Sequence, residues 1–263
     1  MVNALIDIGA NLTHDAFDDD FDEVLERARE QHIEQMIVTG ATVQGSRDAF
    51  DLARRYPGFL HATAGIHPHH AEQATSDAMV ELRSLAQHRE VKAIGETGLD
   101  FFRNFSPRDA QIASFERHLG IAAELDMPLF LHERDAYPTF AEILTPWRDE
   151  LGDIVVHCFT GEAEALHAYV DLDCYIGITG WICDERRGQH LLSLIKDIPP
   201  DRLMIETDAP YLLPRNIKPR PKSRRNEPAY LPRVCEAVAA ATGESFEGIA
   251  ARTTANAKRF FNL

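Results

Sequence analysis

Four short apolar runs in this chain carry, at or near their ends, a residue able to bind a metal: Glu96 in "VKAIGE", His132 in "PLFLHE", His157 in "DIVVHC" and Asp208 in "RLMIETD". Any one of them alone reads as an ordinary hydrogen-bonded residue at a strand end. Together they read differently, because two imidazoles and two carboxylates held in one place would be costly without a partner, and a divalent cation compensates such a cluster. Imidazole suits zinc, manganese or iron, while carboxylates with water suit magnesium or manganese, so the set leaves the metal open. A single ion could polarise a phosphoryl group and lower the pKa of bound water, and a pair could clamp the attacking and leaving oxygens of an in-line displacement. Asp208 is the candidate for holding or deprotonating that water, with Glu96 as the second catalytic carboxylate.

Two further stretches could meet a substrate. "GIHPHH" supplies His67 and His69, which share a parity and could bind a substrate phosphate or lie near a metal; loop histidines stiffened by Pro68 are the plain alternative. "RNIKPRPKSRR", residues 215–225, carries six basic residues and no acid, in a chain of net charge −15 with 42 acidic residues. An acidic protein is a poor match for nucleic acid as a whole, since Lys and Arg contacts to phosphate dominate that affinity. The cationic strip, ending in Arg224 and Arg225, is where a phosphate backbone could still be tracked.

The elements that must position these residues follow from the apolar runs. Eight occur, near residues 4–9, 35–40, 61–67, 91–96, 128–133, 153–158, 174–180 and 202–208, and most are apolar on both parities, as strands covered on both faces are. Segments such as "DDDFDEVLERAREQHI" and "DAQIASFERHLGIAAELDM" between them show helical spacing. Eight strand-plus-crossover units in 263 residues predict a (β/α)8 barrel forming one domain over residues 1–263, with a doubly wound open sheet as the alternative. The last helix read is "YLPRVCEAVAAAT". Barrel closure would bring the four ligand candidates to one rim, the C-terminal ends of the strands. Alternation places Ile94 beneath Glu96, Phe130 beneath His132 and Val155 beneath His157. Gly95 and Gly98 leave room for substrate near Glu96.

The four cysteines form no CxxC pair and read as reduced, buried thiols. No apolar stretch is long enough to cross a membrane, and the opening "MVNALIDIGA" has neither a basic start nor a long apolar run. A soluble, cytoplasmic, monomeric protein is expected.

"GIHPH", "IGETGLDF", "LHERDA", "VVHCFTG", "GITGWICDERRG", "IETDAPYLLPR" and "SRRNEP", in this order along the chain, closely resemble the TatD family of metal-dependent deoxyribonucleases, within the amidohydrolase-like barrels. The resemblance implies a TIM barrel of the metal-dependent hydrolase type. It further implies 3′ to 5′ exonuclease action on single-stranded DNA and RNA, magnesium as the usual cofactor with manganese or zinc as alternatives, and a part in repair of oxidised DNA. By motif, Glu96, His132 and His157 become metal ligands and Asp208 a ligand and base. One departure stands out: where most of the wider family opens with His-x-His, this chain reads "DIGANL", with Gly9 and Asn11 in those places. That thins a second metal site, favours magnesium or manganese, and narrows the subgroup.

Two other readings fit the same residues. An amide or ester hydrolase, including one that deacylates aminoacyl-tRNA, would use the same rim. A scaffold that has lost full metal loading would explain the missing histidines, although the four remaining candidates weigh against it.

Overall fold

The computed structural model describes residues 4–263; Met1 to Asn3, the start of the opening "MVNALIDIGA", lie outside the described residues. Eight strands alternate with helices: β1 (Leu5–Ala10), β2 (Ile33–Val38), β3 (Leu60–Ala64), β4 (Val91–Asp100), β5 (Leu129–Arg134), β6 (Ile154–His157), β7 (Tyr175–Ile178) and β8 (Leu203–Ile205). Between and after them run α1 (Phe21–Glu30), α2 (Val43–Arg55), α3 (Ser76–Ala86), α4 (Arg108–Leu125), α5 (Thr139–Leu144), α6 (Ala163–Asp171), α7 (Leu191–Leu194), α8 (Leu231–Thr242) and α9 (Phe246–Phe261). The strands are all parallel and paired in chain order from β1 to β8. That order makes a (β/α)8 barrel and excludes the doubly wound sheet, whose strand order reverses at a switch point.

The seam between β8 and β1 is closed sparingly. Ala10 forms one parallel bridge with Ala209, and Asp208 N donates to Gly9 O at 2.8 Å. The buried Asp7 carboxylate adds a clasp, accepting from Thr207 N at 2.9 Å and pairing with the Thr207 hydroxyl. Burial pushes the Asp7 pKa up from 3.8 to about 7, against the hydrogen bonds from Thr207. A carboxyl with a higher pKa folded than unfolded binds more protons in the fold, so its stabilisation is complete below pH ~4 and is lost as pH rises through ~7. Asp7→Asn, which keeps the shape and can donate to the Thr207 hydroxyl, is therefore expected to flatten the decline in stability between pH 4 and 7. The difference in slope should reach at most about 1.4 kcal/mol per pH unit in urea titrations. Equal slopes in the two proteins would exclude a titrating Asp7.

Inside the barrel, Ile8, Ile37, Ala93, Phe130, Val155 and Met204 pack together, and Phe260 and Phe261 of α9 join them. Alternation thus places Phe130 inward with His132 and Val155 inward with His157, as read from sequence. It fails on β4, where Ala93 lies inside and Ile94 belongs to the layer between strands and helices. The cause is a register shift against β5 between Gly95 and Thr97, which resets the faces just before Glu96 carries its acid inward. The strand also continues past Glu96 to Asp100. Gly95 and Gly98 have φ of +146° and +136°, and a Cβ on either would lie 2.1 Å from Phe130 O or 2.0 Å from His132 O. The room these glycines leave is filled by β5 backbone, not by substrate.

α9 extends the chain of elements beyond the helix read as the last. Its buried face carries Thr253, Thr254 and Asn256 among the apolar residues, which blurs the helical stripe. Those polar groups are satisfied: Asn256 Nδ2 donates to Leu203 O at 2.8 Å, anchoring the base of β8.

Candidate active site

Glu96 is the focus of the rim. Its Oε1 lies 2.8 Å from His157 Nε2, 3.1 Å from His132 Nδ1 and 3.3 Å from His67 Nε2. Single donor atoms of His67, Glu96 and His132 fall within 4.8 Å of one another, the spacing of a shared cation. His132 Nε2 is buried without a hydrogen-bond partner, with Asp100 Oδ2 3.6 Å away. Three imidazoles converging on one carboxylate, with a ring nitrogen left unpartnered, are a donor set that fits a divalent metal. Burial alone would raise the Glu96 pKa, but the charge of His157 and the hydrogen bonds of His132 and His157 hold it well below the usual carboxylate range. Burial drives His67 down, whereas for His157 it is outweighed by Glu96 and Glu206, which hold that ring well above its ordinary value.

Asp208 and Glu206 come from the end of β8. Asp208 has φ of +53°, a conformation uncommon outside glycine and frequent at functional sites. Burial raises its pKa from 3.8 to about 7, with Glu96 and Glu206 adding repulsion against the opposing pull of His157 and Asn11. Asn11 Nδ2 donates to Asp208 Oδ1 at 2.9 Å, so the residue in the second strand-one position holds the acid by its amide nitrogen. Glu206, two residues before Asp208, is fully buried; it accepts from Cys158 N at 2.5 Å and lies 3.3 Å from His157 Nδ1. A carboxylate on the far nitrogen of an imidazole orients the ring and fixes its tautomer. A Cβ built on Gly9 would stand 2.3 Å from Glu206 Oε2. The space above Gly9 is therefore taken by the Glu206 carboxylate.

Asp100 was missed in the sequence, although it shares the parity of Glu96 along β4. It is buried, bonds His69 Nε2 at 2.8 Å and accepts from Arg103 N at 2.7 Å. His69 in turn packs edge-on against His67, ring centres 4.2 Å apart. Of the six basic residues of the cationic strip, Arg215 and Arg225 are tied to acids, while Lys218, Arg220, Lys222 and Arg224 are exposed. Arg225 bonds Asp20 and Ala16 O, and its guanidinium holds the Asp20 pKa at about 2. Arg215 forks onto Glu185, and Arg186 and Arg187 bond Asp184.

A family model described as TatD related DNase matches residues 6–262. The chain belongs to the TatD family. A protein of Erwinia tasmaniensis named 3′-5′ ssDNA/RNA exonuclease TatD is 49% identical over 259 residues, covering 98% of this chain and 100% of the relative. A protein of the same name from Salmonella typhimurium is also 49% identical, over 262 residues, covering 98% and 99%. Among solved structures, the TatD homologue YJJV of Escherichia coli K12 superposes with a TM-score of 0.90 at 26% identity, with full coverage of both chains. A TatD family hydrolase from Entamoeba histolytica gives 0.87 at 25%, covering 99% of each. As a TatD protein with this rim, the chain is a hydrolytic nuclease, and no helix among the described residues is long and apolar enough to cross a membrane.

Proposed function

We propose that this protein is a magnesium-dependent 3′ to 5′ exonuclease on single-stranded DNA and RNA, working as a monomer in the cytoplasm, with residues 1–263 forming one hydrolase domain. The observation that carries the reading is the convergence of His67, His132 and His157 on Glu96 Oε1 within 3.3 Å, beside a half-buried Asp208. Glu96, His132, His157 and Asp208 hold the metal, and His67 joins them from the third-strand loop. The bound cation supplies charge for the phosphoryl oxygens and an acidified water. Asp208 accepts the proton of the attacking water, a role for which a pKa lifted by burial is suited near neutral pH. Asn11 keeps Asp208 Oδ1 engaged, and Glu206 keeps His157 aligned. His69, steadied by Asp100, meets the substrate phosphate. Arg224 offers a free cation to the chain beyond it, while Arg225 reaches phosphate only by leaving Asp20. Support for the substrate class comes from the relatives' names, and a part in repair of oxidised DNA belongs to the same proposal.

The test is digestion of 5′-labelled and 3′-labelled single strands with magnesium, manganese or chelator, beside a panel of amides and esters. Stepwise shortening of the 5′-labelled strand that stops with chelator is expected. Ester or amide turnover without any cleavage of nucleic acid would replace the reading with the small-molecule hydrolase.

A further inference from the structure

Large apolar side chains are exposed at few places among the described residues: Val80 on α3, and Phe102, Phe105 and Tyr211 on loops at the catalytic rim. Phe102 and Phe105 are 53% and 66% exposed, on the loop joining β4 to α4 directly after Asp100. Looseness does not explain this exposure. Buried Gln111 bolts the loop from below, bonding Asp100 N at 2.8 Å and Ser106 O at 2.9 Å, while Ser106 Oγ donates to His69 O at 3.0 Å. Phe101 N donates to Arg134 O at 2.9 Å, fastening the loop to β5 as well. A well-anchored loop thus holds two phenyl rings in water.

Their surroundings are cationic and continuous with the candidate metal cluster. Arg134, two residues past His132, lies 4.3 Å over the Phe102 ring and 5.7 Å from that of Trp181; Arg103 lies 5.5 Å from Phe102. Neither arginine pairs with an acid among the described residues, whereas Arg215 and Arg225 of the strip do. Phe105 packs on His69, ring centres 4.7 Å apart, and His69 bonds Asp100. Trp181 Nε1 is buried without a partner. Flat rings alternating with guanidinium planes, on an otherwise acidic protein, match the faces of bases and the phosphates that link them.

We infer that Phe102 and Phe105, with Arg134 and Arg103, form a stacking platform for unpaired bases next to the scissile phosphodiester. The inference rests on the nuclease reading and adds to it a means of selecting single strands: a ring can lie on the face of a base only where that base is free of its own stack. The platform requires no base-edge contacts, so it is indifferent to sequence.

The test uses the full chain and three oligonucleotides: a single strand, the same strand with its last two 3′ residues abasic, and a blunt duplex. Stacking of one base is worth about tenfold or more in affinity, so wild type should favour the first over the second by about that factor in KM. Phe102→Ala with Phe105→Ala should raise KM about tenfold on the intact strand and erase its advantage over the abasic one. Phe105→Leu, which keeps an apolar contact with His69 but has no aromatic face, should lose part of the advantage, and Phe105→Tyr should keep it. Equal losses on intact and abasic strands, or no loss on either, would overturn the platform. So would a double variant whose only change is its sedimentation, which would mark the patch as a contact with a second copy. Failure of wild type to cut any of the three would instead remove the nuclease reading. The platform is then judged by emission of Phe105→Trp titrated with the single strand in chelator, where a shift supports it and a flat trace removes it.

Discussion

Glu96→Gln is expected to lower kcat/KM on single-stranded oligonucleotides at least about a thousandfold, equivalent to roughly 4 kcal/mol of lost transition-state stabilisation. The side chain keeps its size, so packing around the shifted register of β4 survives. What goes is the only carboxylate in the tight group of His67, Glu96 and His132, the anion on which three imidazole nitrogens converge. Folding should suffer far less than catalysis. Removing one member of a buried pair is destructive when the other is a fixed charge, but imidazoles can shed their protons and remain as neutral rings. Stability is therefore expected to stay within about 2 kcal/mol of wild type. Kinetics at rising magnesium or manganese, with thermal unfolding alongside, separate the two effects. Activity within tenfold of wild type at saturating metal would remove Glu96 from the centre.

Much of this arrangement was legible in the sequence because strand periodicity and strand ends carry it. The eight apolar runs mark the eight strands, and residues at or near their ends, Glu96, His132, His157 and Asp208, come to one rim. Alternation on β5 and β6 needed nothing more. On β4 it misled, because the register shift at Gly95 is a pairing property between strands and leaves no trace in the pattern of one strand. The glycines there were visible, but what occupies their space, the carbonyls of Phe130 and His132, comes from a segment more than thirty residues away. Charge pairing was hidden for a related reason. In the strip from 215 to 225, Arg215 and Arg225 find Glu185 and Asp20 across the fold while Arg220 and Arg224 stay exposed, and Arg103 and Arg134, thirty-one residues apart in sequence, meet at the exposed Phe102 ring.

The strand-one departure takes its meaning from the same kind of distant neighbour. Gly9 faces a fully buried Glu206 whose two oxygens are engaged by Cys158 N and His157, and a Cβ at Gly9 would stand 2.3 Å from Oε2 and 3.1 Å from Phe130 Cζ. A flexible surface carboxylate could swing aside cheaply, but this one can move only by abandoning both partners inside the barrel. Gly9→Ala is therefore expected to cost about 3 kcal/mol of stability, the overpacking penalty at its upper range. Gly9→His, which restores an imidazole to strand one, should be worse still and should add no ligand. In a Glu206→Ala background the same Gly9→Ala change should cost less than about 1 kcal/mol, because the atom it meets is gone; the single Glu206→Ala change destabilises by itself through the unpaired Cys158 N and the emptied space. Urea unfolding of the four proteins yields the coupling, expected to be at least about 2 kcal/mol. Additive effects would mean that Gly9 is small for another reason. A coupled pair would show that the acid beside His157 and the absent imidazole of strand one are alternative occupants of one space, so that a chain carrying Glu206 in this position must keep glycine at position 9.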